Sequence, residues 1–74
     1  MQDGIERKIL LQIAEKLIMK KEEMLFLAGD SEDSLEVVNL AVKNLLSGGM
    51  IAIAPVGATT FAVTQKGMRE ARKV

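Results

Sequence analysis

Seventy-four residues with ten basic and ten acidic side chains, no cysteine and no histidine, allow one small domain of zero formal charge. That composition excludes a disulfide framework and a thiolate or imidazole metal site, and it supplies no global field toward phosphate. No apolar run approaches the roughly 20 residues of a membrane span, and the opening MQDGIERK lacks the order of a signal peptide, so a cytoplasmic protein with no membrane partner is expected.

The first segment reads as an amphipathic helix. Ile5, Ile9, Leu10, Ile13 and Leu17 recur on one face of a 3.6-residue period. Asp3 with Glu6 has the spacing of a capping box, and the apolar pattern predicts an end near Met19. KKEEMLFLAG is ambiguous. MLFLA alone could be a buried strand, but Glu22 and Glu23 suit a helix's first turn and Gly29 suits its C-cap. A short helix is expected, with Met24, Leu27 and Ala28 facing one side.

DSEDSLEVVNLAVKNLLSGG is the clearest element. Asp33 with Glu36 repeats the capping-box spacing, Leu35, Val38, Val42, Leu45 and Leu46 form an apolar stripe, and Gly48-Gly49 stop the helix. The period then changes to two. MIAIAPV and TFAV are short strands, joined by PVGAT with Pro55 and Gly57 as turn residues. Thr64 can cap a last helix from Gln65 to about Arg72.

These elements predict a single α+β domain over residues 1–74: three helices, a two-stranded β-hairpin and a short C-terminal helix. A two-stranded hairpin does not stand alone in water, so it must lie against the helices. The expected core joins Leu35, Val38, Val42 and Leu45 to Ile9, Ile13 and Leu17, closed by Ile51, Ile53, Phe61 and Val63. A chain of this size buries only about 60% of its unfolded surface. Without staples, a homodimer is one route to further stability.

Two stretches, AVKNLLSGGMI and FAVTQKG, resemble the winged helix-turn-helix domains of small bacterial and archaeal transcriptional regulators. The first is similar to a recognition helix entering a wing strand, the second to a strand ending in Thr-x-Lys-Gly before the last helix. The resemblance implies double-stranded DNA as partner, residues 33–47 as recognition helix and residues 54–60 as wing. Glu36, Asn39, Leu40 and Lys43 would then point outward. Asn39 and Lys43 would contact bases, while Lys20, Lys21, Lys66 and Arg69 would hold phosphates.

The charges also support a different partner. Residues 30–64 carry Asp30, Glu32, Asp33 and Glu36 against Lys43, a balance of −3, while residues 65–74 carry Lys66, Arg69, Arg72 and Lys73 against Glu70, a balance of +3. Acids at the start of the third helix repel phosphate, and residues 54–60 contain no cation. A protein-binding module using the third helix, with Val37 and Leu40 exposed, fits the same residues. Asn39 and Lys43 equally suit an ordinary solvated face. A third reading follows from Asp33-Ser34-Leu35, which resembles the phosphopantetheine-bearing segment of acyl carrier proteins, with Ser34 as the modified residue; the plainer role is a helix cap. Alternating Asp30, Glu32 and Ser34 do not make a calcium loop, because Leu35 stands where its glycine belongs. With no imidazole, thiol or tyrosine, no set of side chains converges on acid/base or nucleophilic chemistry. A non-enzyme without cofactor or metal is expected.

Overall fold

The computed structural model describes residues 4–29, 32–55 and 59–73. The chain runs α1 (Gly4–Lys16), β1 (Ile18–Lys20), α2 (Lys21–Ala28), α3 (Ser34–Ser47), β2 (Ile51–Ile53), β3 (Thr60–Val63) and α4 (Gln65–Arg72). It is α+β, with four helices against one antiparallel sheet of order β1-β3-β2.

The sheet has three strands, which corrects the expected two-stranded hairpin. The pairing of β2 with β3 sets Ile51 opposite Val63 and Ile53 opposite Phe61. On the other edge of β3, Ile18 lies opposite Ala62 and Lys20 opposite Thr60. The first helix consequently ends at Lys16, not near Met19. Leu17 makes the corner, with a φ of 75° in the left-handed region. Its N–H still reaches the Ile13 carbonyl at 2.7 Å, while its carbonyl accepts the Val63 N–H at 3.0 Å. Leu17-Ile18-Met19 continues the apolar rhythm of a helix, but pairing with a strand more than forty positions later overrides it.

The core gathers Ile9, Leu10 and Ile13 of α1, Met19, Met24, then Val38, Ala41, Val42 and Leu45 of α3, closed by Ile51 and Phe61. Of the other expected core members, Val63 is partly buried against this cluster and three are exposed. Leu17 is 55% exposed, being turned out at the corner, and Ile53 is 59% exposed on an edge strand. Leu35 shares Val42's side of α3 two turns earlier, where the described chain leaves it half uncovered. Met19 and Met24 take their places, and flexible thioethers suit such irregular space.

Caps explain where the helices begin. Lys20 precedes α2 and cannot accept a hydrogen bond, so Glu23 reaches back and accepts the Lys20 N–H at 3.1 Å. Asp33 precedes α3 without a side-chain cap bond, contrary to the expected capping box. Ser34 is buried instead, and its hydroxyl donates to the Gly29 carbonyl at 2.8 Å. The proposed Asp3 cap lies outside the described residues. At α4 the Thr64 oxygen accepts the Gly67 N–H at 3.0 Å, as the Thr-Gln-Lys-Gly pattern predicts. Gly67 has a second role. A β-carbon on it would lie 2.1 Å from the Met50 carbonyl oxygen, so α4 packs on the start of β2 only because this residue has no side chain.

Polar contacts from three of its side chains tie α1 to its neighbours among the described residues. Asn44 donates to Glu6 at 2.7 Å, Lys16 pairs with Glu23 at 2.9 Å, and Arg7 donates to the Glu70 and Lys73 carbonyls at the end of α4.

Candidate functional site

At 100° per residue, the buried stripe of α3 forces the opposite side outward. Val38, Ala41, Val42 and Leu45 are buried, and Glu36, Asn39, Leu40 and Lys43 are all exposed. Asn39 and Lys43, four residues apart, lie on adjoining turns of one face. That face offers an amide, an ammonium, a carboxylate and a leucine, which suffices for hydrogen bonding but makes a weak positive field. Exposed Glu32 and Asp33 precede the helix, adding negative charge at its start.

The six cation and amide positions read from the sequence fall at separate places. Lys20 lies opposite Thr60 in the β1–β3 register, and the Lys21 N–H donates to the Thr59 carbonyl at 2.9 Å. Both lysines therefore stand at the end of the sheet from which the β2–β3 connection leaves. Lys66 and Arg69 belong to the opposite end, where Thr64 N–H bonds the Met50 carbonyl. Lys66 runs beside Gly49, its Cδ 3.7 Å from where a β-carbon there would lie. At about 3.4 Å per residue, Thr60 and Val63 put roughly 10 Å of strand between the two groups. Of the connection itself, residues 56–58 lie outside the described residues; Ala54 and Thr60 are buried and Pro55 is exposed.

Apolar side chains reach solvent beside these polar ones. Leu40 is 58% exposed, with Leu35 and Val37 also uncovered on α3, and Phe26 on α2 is 89% exposed. Phe26 edges a hollow of about 440 Å³ between α1 and α2, floored by Met19 and Leu27 and rimmed by Lys16, Glu22 and Glu23. Residues two apart on a helix point about 200° apart, so burying Met24 turns Phe26 outward. Among the described residues no group of three His, Cys, Asp or Glu side chains is placed to hold a metal ion, and no helix is long and apolar enough to cross a membrane.

Among the described residues, Glu23 and Glu70 have lowered carboxyl pKa values. The Lys16 hydrogen bond, then the Lys20 amide, hold Glu23 below its ordinary value of 4.5. Lys73 does the same for Glu70. Each belongs to an exposed ion pair within a helical layer, which is a structural use of the charge. Comparison with family models, with curated proteins and with solved structures found no match for this chain.

Proposed function

We propose that this chain is a winged helix-turn-helix domain that binds duplex DNA in transcription regulation, with α3 as recognition helix and residues 54–60 as wing. The observation that carries this reading is the place of Lys20 and Lys21. Pairing of β1 with β3 brings these two residues to the end of the sheet from which the β2–β3 connection leaves, at the N-terminus of α2. In a helix-turn-helix the first helix of the motif crosses the phosphate backbone while the second enters the major groove. Two lysines at the start of α2 suit the first task. Asn39 and Lys43, exposed together on α3, suit base contact, Asn to adenine and Lys to guanine or phosphate.

Fluorescence anisotropy with random and mixed-sequence duplexes at several salt concentrations tests this. Lys20, Lys21 and Lys43 neutralise few phosphates, so the salt slope should be shallow, about −2 to −3 at roughly −0.9 per phosphate. Lys43→Ala and Lys20→Ala should weaken binding. Lys66→Ala and Arg69→Ala, at the other end of the sheet, should weaken it less. Glu36→Gln should strengthen it by removing a like charge from the bound face. Absence of binding at low salt would overturn the assignment.

A second reading, a protein-binding module, is favoured by the exposure of Leu35, Val37 and Leu40 on the same helix. Leu40→Asp would then abolish capture of a protein partner while Glu36→Gln changed nothing. Burial of Ser34 and its bond to Gly29 weigh against attachment of a prosthetic group there. Intact mass after incubation with a phosphopantetheinyl transferase and coenzyme A checks that third reading.

A further inference from the structure

We infer that this chain forms a symmetric homodimer through the outer face shared by α1 and α4, with Glu15 of each copy paired to Arg72 of the other. A hollow of about 390 Å³ lies on that face, between Leu11, Ala14 and Glu15 of α1 and Met68, Ala71 and Arg72 of α4. Its apolar part is incompletely covered, since Leu11 is 47% exposed. Its two charged members, Glu15 and Arg72, come from different helices and are both exposed. The ion pairs among the described residues are Lys16–Glu23 and Lys73–Glu70, so Glu15 and Arg72 border one hollow without meeting each other or any other charge.

The occupant of such a face must bring an apolar side chain for the centre, a base for Glu15 and an acid for Arg72. A second copy related by a two-fold axis brings all three: Leu11, Arg72 and Glu15. Self-complementarity of this kind defines an isologous interface, in which each contact occurs twice. The patch carries one acid and one base, so two copies approach without net repulsion. A strongly acidic or basic partner would leave one of the two charges opposed.

This inference does not rest on the DNA reading, and its experiment contains no nucleic acid. Sedimentation velocity of the full chain from micromolar to millimolar concentration should give the dimer mass. Leu11→Asp should give monomer. Glu15→Arg and Arg72→Glu should each weaken dimerisation by at least about tenfold, because each sets like charges opposite one another twice. Mixing equal amounts of those two variants should restore a dimer. One copy then contributes two bases and the other two acids, and both contacts are attractive only across the interface. All substituted positions are exposed or at the rim, and circular dichroism of each variant verifies its fold. A wild-type chain that stays monomeric throughout, or two folded charge variants that fail to recover association on mixing, would overturn the proposal.

Discussion

Gly67 has little freedom to change. The Met50 carbonyl occupies the space its side chain would take, and backbone cannot rotate aside as a side chain can. Gly67→Ala should therefore destabilise by at least the roughly 1–3 kcal/mol of overpacking, read as a lower urea midpoint. Alanine at exposed Lys66 next to it should change that midpoint little. The Lys16–Glu23 pair has a pH signature instead. Its carboxylate is held below 4.5 in the folded chain. A lowered folded-state value means stability that is present above the unfolded value and lost as pH falls through the folded one. Lys16→Met should lower the urea midpoint at pH 7, and the difference from wild type should vanish once the pH has fallen through the lowered folded-state value. Both partners are about two-fifths exposed, so the difference should be small and should shrink with added salt.

Among the elements, α1 and α3 form the centre of the core, and their inward residues can be ranked by burial. Ile13 is fully buried and Leu45 nearly so. Truncating either to alanine should cost about 2–5 kcal/mol. Leu35→Ala should cost well under about 1 kcal/mol, although the sequence pattern gives Leu35 and Leu45 equal standing. Chemical denaturation of the three variants separates those expectations. The same contrast shows what was legible. The α3 stripe, the double-glycine stop, both later strands and the Thr64 cap were readable, because each is decided by neighbours within a few positions. β1 was not, because three residues of Ile-Met-Lys carry no period. Their extended conformation depends on β3, and on a corner built from leucine where glycine would have announced it. Among the candidate contact residues, the outward set Glu36, Asn39, Leu40 and Lys43, which the winged-helix resemblance implies, is exposed. The separation of Lys20 and Lys21 from Lys66 and Arg69 followed only from β1–β3 pairing, which no local pattern encodes.

At the scale of the whole molecule, the α1–α4 face proposed for dimerisation and the outward residues of α3 are different surfaces. Dimerisation would present two α3 helices without covering Asn39 or Lys43. The duplex bound by a dimer would carry two related half-sites, and Leu11→Asp should lower the affinity for such a duplex more than for a single half-site. Anisotropy titrations with one and with two half-sites measure that ratio. The sheet imposes a constraint of another kind. β3 is its central strand yet the last to appear in the chain, and β1 and β2 each pair with it alone. On a translating ribosome, then, the edge at Ile18–Lys20 waits for residues 60–63 before it has a partner. At about 5–20 residues per second the forty intervening residues take roughly 2–8 s. During that interval Leu17, Ile18 and Met19 are an apolar stretch with open hydrogen-bonding groups, so the yield of folded chain should depend on how fast it is synthesised and on which holdase reaches the nascent segment first.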